Sequence, residues 1–274
     1  MWRLGLGYRR AMHDWIAAEP EAVDCLEVTA EHFFEGGEST LKNLAEKYHL
    51  YVHGLGLSLG TPGPLDSQVL KSFAQVARWA KAEWVSEHVA FTRAGGVDLG
   101  HLNPVPKNEN SLQVLTEHAI EVREVCGKPL ILENITSDLQ VGGTMAETEF
   151  LNRLCDAANC GLLLDVTNLF INSKNHGYEA LDWLRQVQPE YIRQLHIVGY
   201  SLVEGRYRDQ HSAAIQEDLM DLFREVIDYS EVQAVILERD QRMDEIDEIE
   251  KELIRLRQIL EQHRPRQRDC QIAE

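Results

Sequence analysis

Short apolar runs separated by longer amphipathic stretches set the rhythm of this chain, and nearly every run ends on a carboxylate or an imidazole. Arg3–Gly7 opens the series. Asp24–Thr29 leads to Glu31, Leu50–Val52 to His53, Trp84–Ser86 to Glu87 and His88, and Pro129–Leu132 to Glu133. Gly161–Leu164 then leads to Asp165, Ile192–Leu195 to His196, and Ala234–Leu237 to Glu238. Continuous apolar runs of this length read as strands buried on both faces of a parallel sheet. Packing does not account for a charged residue at the end of each one.

Between the runs, Ser39–His49, Asp66–Ala82, Glu109–Cys126, Thr144–Ala158, Tyr178–Val187, Ser212–Tyr229 and Met243–His263 place apolar residues three or four apart and predict helices. Thr144 with Glu147 has the spacing of a capping box. Strand and helix alternating about eight times predict an α/β chain, a (β/α)8 TIM barrel in one domain over residues 1–263. The polar stretch 264–274 reads as a loose C-terminal tail. An open doubly wound sheet would alternate in the same way, but it usually carries a glycine-rich phosphate fingerprint after its first strand, and Gly5 and Gly7 are too few for one. The stretches Gly54–Pro64, Thr92–Asn108, Thr167–Gly177 and Val198–His211 read as long loops, all on the strand-exit side where barrel active sites are built.

Length and charge narrow the function. A chain of 274 residues suits a single barrel, and no apolar run approaches the roughly 18 residues of a membrane span. The N-terminus lacks the apolar segment of a signal peptide, so a cytoplasmic protein is expected. A formal charge of −18 disfavours nucleic acid and anionic membranes as partners. Cys25, Cys126, Cys155, Cys160 and Cys270 form no CxxC pair and read as free, mostly buried thiols.

The strand ends carry the chemistry. His53, His88, Glu133, Asp165, His196 and Glu238, with Asp209 and His211 from the stretch after the seventh run, make eight candidate metal ligands. Imidazole mixed with carboxylate, without thiolate, suits iron, manganese or zinc rather than calcium or magnesium. At roughly four to six donors per ion, some from water, eight ligands imply two or three metals with Glu133 as the bridge. Parity agrees, since Glu133 and Asp165 each share a strand face with the aliphatic residue two positions earlier. Glu87 has the opposite parity to His88 and is expected to orient that ligand. His13, His49, His101, His118 and His263 are expected on helices or loops, in surface or capping roles.

Gly5-Leu6-Gly7-Tyr8-Arg9, Leu26-Glu27-Val28 with Glu31, His53-Gly54-Leu55-Gly56-Leu57-Ser58-Leu59-Gly60, Ser86-Glu87-His88, Leu132-Glu133-Asn134, Leu164-Asp165-Val166-Thr167-Asn168, Asn172 through Asn175-His176-Gly177, Gln194-Leu195-His196 and Leu237-Glu238-Arg239 follow one another in order. Over residues 3 to 240 this set resembles the multinuclear non-heme iron-dependent oxidative enzymes, the MbnB/TglH-like family. The resemblance implies a TIM barrel with two or three irons and O2 as cosubstrate. It also implies oxidative modification of cysteine in a ribosomally synthesised precursor peptide, assisted by a separate peptide-recognition partner protein. The eight residues above would be the metal ligands, Glu133, Asp165 and Asn168 the catalytic set, and Asn134, Asn168 and Glu87 the groups that orient ligands. The chain departs from the family pattern at His32, Thr167 and Tyr200, and in the composition of Thr92–Asn108. A metal-dependent hydrolase or isomerase of the xylose-isomerase-like barrel type is the competing enzyme class, and a binding module with structural ions a third reading.

Overall fold

Eight of the apolar runs become parallel strands that close on themselves. The computed structural model describes residues 2–263. Its strands are β1 (Arg3–Tyr8), β2 (Cys25–Thr29), β3 (His49–His53), β4 (Val85–His88), β5 (Ala90–Ala94), β6 (Val97–Pro104), β7 (Leu130–Glu133), β8 (Gly161–Asp165), β9 (Ile192–Ile197), β10 (Gly199–Val203), β11 (Arg206–Ala213) and β12 (Ala234–Leu237). The barrel order is β1-β12-β9-β8-β7-β4-β3-β2, closed, and the other four strands pair as two antiparallel hairpins, β5–β6 and β10–β11. The helices are α1 (His13–Ala18), α2 (Glu38–Leu44), α3 (Ser67–Trp79), α4 (Glu109–Cys126), α5 (Glu147–Ala158), α6 (Val166–His176), α7 (Ala180–Leu184), α8 (Glu217–Tyr229) and α9 (Ile246–Gln262). This is the (β/α)8 barrel that the alternation predicts. The tail 264–274, with Cys270, lies outside the described residues.

The two faces of each strand bury separately. Leu26, Leu50, Val52, Leu130, Leu132, Leu162, Leu164, Val235 and Leu237 join the large core shared with the helices. The alternate residues Cys25, Tyr51, Trp84, Ile131, Leu163, Ala234 and Ile236 pack with one another inside the barrel. Two positions beyond several of these inward residues come Glu27, His53, Glu133, Asp165 and Glu238, so the same parity that fills the floor aims the ligands into the mouth. Gly5 closes the floor on β1, where a Cβ would stand 2.5 Å from both the carbonyl oxygen and Sγ of Cys25.

Several expected elements differ. The stretch 167–177 is the helix α6, not a loop: Asp165 Oδ1 accepts the Asn168 amide (2.7 Å), and the cap lets an Asn-rich segment bury Leu169, Phe170 and Ile171. The stretches 92–108 and 198–211 consist largely of the two hairpins. The capping box at Thr144 does not form; α5 begins at Glu147, the Thr144 amide is spent on Lys107 O, and the Glu147 carboxylate takes the Trp183 indole and Lys107 instead. The expected helix 39–49 stops at Leu44, and His49 opens β3, pairing with Glu83. The helix expected over 212–229 starts at Glu217, leaving Ser212 on β11, and that over 178–187 shrinks to Ala180–Leu184. His101 lies on β6, and His118 is buried, with both ring nitrogens 2.7 Å from carbonyl oxygens, of Leu59 and Gly63. Cys25, Cys126 and Cys155 are buried free thiols, and Cys160 is partly exposed.

After β12 the chain is held by a buried cation. Arg239 is fully buried and its guanidinium meets Glu252 (3.1 Å), Glu248 (2.5 Å) and Glu245 (3.4 Å), tying the strand exit to α9 and its approach. Glu252 is buried too and accepts the Ile215 amide (2.5 Å). Removing one partner of such a group strands the others without counter-charge. Arg239→Met should therefore lower unfolding stability by about 3–5 kcal/mol, read from the midpoint of urea unfolding at unchanged slope.

Candidate metal centre

Three groups of possible ligands converge at the barrel mouth: His53, His88 and Glu133; Glu133, Asp165, His196 and Glu238; and His211, Glu238 and Asp240. Two carboxylates belong to two groups each. Glu133 Oε2 is 3.4 Å from the Nε2 of both His53 and His88, while its Oε1 faces His196 Nδ1 at 3.5 Å. Glu238 Oε2 is 3.0 Å from His196 Nδ1, and its Oε1 is 3.7 Å from His211 Nδ1. Glu133 and Glu238 are thus each shared between two groups, and the sequence singles out only the first.

Each imidazole is anchored through one nitrogen and presents the other. His53 Nδ1 bonds Ser86 Oγ (2.8 Å), His88 Nδ1 bonds Glu87 Oε1 (3.0 Å), His196 Nε2 faces Glu27 Oε1 (2.7 Å), and His211 Nε2 bonds Asp209 Oδ2 (2.6 Å). A hydrogen bond on the far nitrogen that fixes ring orientation is the usual support of a metal-ligating histidine. The inward atoms Glu133 Oε2, Asp165 Oδ2, His196 Nδ1 and His211 Nδ1 are buried without a hydrogen-bond partner. Orphaned donors of this kind, converging from several strands, fit metal ions.

Burial and crowding disturb the charges. Burial, with His88 and His196 alongside, holds His53 well below the usual imidazole range. Burial also opposes charge on His88, but Glu133 and Glu87 outweigh it and raise that ring to about 9. Burial together with Glu133, Asp209 and Glu238 pushes the Asp165 carboxyl well up. At Glu238 burial acts upward, yet the His196 and His211 rings pull it well below the carboxylate range. Cations among these carboxylates relieve the repulsion.

Of the eight expected ligands, seven fall in these groups. Asp209 does not; it holds His211 and borders a cavity of about 330 Å3 lined also by Asn103, Ser137, Ile171, Tyr207 and Arg208. The third member of the His211 group is Asp240, 3.2 Å from His211 Nδ1 and also paired with Arg9. Asp240 lies beyond the last apolar run, where parity gives no guide. Glu27 and Gln194 are missed as well, because they sit inside strands rather than at their ends. Asn134 clamps β8, its Oδ1 accepting the Asp165 amide (2.8 Å) and its Nδ2 donating to Asp165 O (3.1 Å). Asn168 donates to Asn134 O (3.0 Å) and leaves its Oδ1 buried without a partner. Thr167 bridges to Val198, and Tyr200 stacks on Phe170 with its hydroxyl on Asp218, so neither departure reaches the centre.

A closed parallel barrel whose mouth gathers linked His and carboxylate groups has the framework of a metal-dependent TIM-barrel enzyme. The chain belongs to the family described as RiPP precursor modification enzyme MbnB/TglH/ChrH, whose model matches residues 3–261. It is 34% identical over 259 residues to a UPF0276 protein of Shewanella sediminis, covering 90% of this chain and 93% of the relative. A UPF0276 protein of Acinetobacter baylyi is 33% identical over 241 residues, covering 86% and 84%. Solved structures share the fold at low identity. A D-psicose 3-epimerase with D-fructose has a TM-score of 0.60 at 16% identity over 94% of this chain and 99% of that one. Endonuclease IV from Thermus thermophilus has a TM-score of 0.60 at 15% identity over 95% and 100%.

The two shared carboxylates set an expectation for metal content. With iron supplied under low oxygen, Glu133→Ala should lose more than one metal equivalent by elemental analysis, and His211→Ala chiefly one. Asp209→Ala should weaken the same ion as His211→Ala but less severely. Equal single-ion losses in all three would refute the shared position of Glu133.

Proposed function

We propose that this protein is a multinuclear non-heme iron enzyme that uses O2 to modify cysteine oxidatively in a ribosomally synthesised precursor peptide. The observation that carries the reading is the chain of shared carboxylates, Glu133 and then Glu238, which links three nitrogen-and-oxygen ligand groups free of thiolate. His53, His88, Glu133, Asp165, His196, His211 and Glu238, with Asp240, would hold two or three ions, and Asp209 would act through His211. Iron bound there supplies redox chemistry with O2 and a coordination position for a substrate thiolate.

The protein's own residues prepare that site. Glu87, Ser86, Glu27 and Asp209 hold the four rings through their outer nitrogens, so that with metal bound the inward nitrogens would coordinate through their lone pairs. Asp165 divides its oxygens, Oδ1 capping α6 and Oδ2 buried without a partner, where it would be free to bind an ion. Asn134 locks the Asp165 backbone, and Asn168 holds the Asn134 carbonyl. Gly54 and Gly56 keep the first loop close, since a Cβ at Gly54 would lie 3.1 Å from Glu87 Oε2.

The rim suits a peptide and a partner protein. Leu55, Val97, Leu139, Val141, Leu202 and Val203 are exposed large apolar side chains, and all lie on segments that follow barrel strands into the mouth. Apolar groups collected around an active-site opening favour docking of another chain. Among the described residues no helix is long and apolar enough to cross a membrane.

The test is direct. A cognate Cys-containing peptide, its recognition partner, ferrous iron and O2 should together yield a mass-shifted peptide, and the Cys→Ser peptide should not shift, because a hydroxyl is a far weaker iron donor at neutral pH. Anaerobic sugar isomerisation or phosphate-ester cleavage with zinc or manganese, without oxygen uptake on any cysteine peptide, would replace this reading with the hydrolase or isomerase class.

A further inference from the structure

Below the ligands, the barrel interior holds a file of side chains that the proposed chemistry does not use. His196 Nε2 lies 3.2 Å from Gln194 Nε2, and Gln194 also donates to Glu27. Gln194 Oε1 accepts the Trp84 indole N–H at 2.7 Å. Trp84 stacks on Tyr51 with ring centroids 4.1 Å apart and an interplanar angle of 15°. The Tyr51 hydroxyl oxygen accepts from Arg3 (3.0 Å). Trp84 also borders a cavity of about 440 Å3 at the strand starts, lined among others by Asp156, Asn159, Cys160, Glu190, Arg193 and Gln233. A buried indole needs an acceptor, and Gln194 satisfies that need. Hydrogen-bond satisfaction does not require that the partner touch a candidate ligand, that a phenol stack on the indole, or that the indole border a second cavity.

We propose that the Trp84–Tyr51 pair is an electron donor to the metal centre and that the basal cavity admits the small reductant that restores it. The proposal rests on the redox reading above. With iron bound there and oxidised by O2 or peroxide in the absence of a peptide thiol, one electron would leave the Trp84 indole by way of Gln194 and His196 and reduce the iron by one equivalent. The indole becomes a radical cation and keeps its Nε1 proton, because the Gln194 amide oxygen is a weak base. Stacking on the electron-rich Tyr51 ring stabilises that cation, as does the carboxylate of Glu27 beyond Gln194. Arg3 at the Tyr51 hydroxyl disfavours positive charge on the phenol and leaves the hole on Trp84. An ene-diol reductant of the ascorbate class in the basal cavity then returns one electron to Trp84 and gives up its own proton to water.

The experiment uses the full chain, loaded with ferrous iron and treated with hydrogen peroxide without peptide, then frozen for electron paramagnetic resonance. The expected result is an organic radical with indole couplings, absent in Trp84→Phe and altered in Tyr51→Phe, at unchanged metal content. Tryptophan deuterated on the indole should narrow the signal in the unsubstituted protein, and peptide mapping of that protein should find oxidation at Trp84, so the outcome does not hang on a variant that folds. Ascorbate should quench the radical, more slowly once a bulky maleimide blocks Cys160 in a Cys270→Ser background. An iron signal that changes with peroxide while the radical persists in Trp84→Phe, or never forms, overturns the relay and spares the redox centre. An iron signal that never responds overturns both.

Discussion

A carboxylate taken out of water must be answered by hydrogen bonds or by positive charge, and this barrel mouth buries Glu27, Glu87, Glu133, Asp165 and Glu238 together. Most other features of the site follow from how that demand is met. Glu87 answers with the amides of Leu57 and His88 and the His88 ring. Glu27 uses His196 and Gln194. Glu133 and Glu238 instead face imidazole nitrogens on both sides, and Asp165 keeps one oxygen bare. The carboxylates with protein partners orient rings; those without complete ones are left for ions.

The fold was legible because a two-sided buried strand writes an unbroken apolar run, and a charge at its end has no packing explanation. The parity of Ile131 with Glu133 and of Leu163 with Asp165 already placed those ligands inside. Glu27 and Gln194 stood in the quoted motifs but received no role, because a polar residue within a run reads as a lapse in the pattern, not as a second inward layer. Asp240 was invisible for a different reason: it lies past the end of the apolar run, and it reaches the His211 ring because its amide bonds His211 O (2.9 Å). The family resemblance supplied the proposal of redox chemistry, which no spacing of residues expresses.

Local chemistry also misled where tertiary contacts outbid it. Thr144 and Glu147 had the spacing of a cap, but Lys107 and Trp183 claimed their polar groups. The segment after Asp165 carries three asparagines, a serine and a threonine and reads as loop. Its helix survives because the cap comes from a strand-end carboxylate and because Asn172 and Asn175 bond neighbouring backbone outside the helix. α6 thereby fixes both the loop after β7 and the β10–β11 hairpin, two walls of the mouth.

The Arg239 anchor has a consequence for the order in which the chain is made. His53, His88 and Glu133 are all made before α5 to α9, so one candidate ligand group precedes the rest. Glu238 and Asp240 follow about a hundred residues later, and the guanidinium between them finds Glu252 only when α9 has emerged. A nascent chain thus carries buried-type carboxylates and imidazoles without their final partners until α9 docks. Closure of the barrel and completion of the centre become one late event, and a ribosome stalled before α9 would leave a polypeptide with ligands but no finished pocket to protect them.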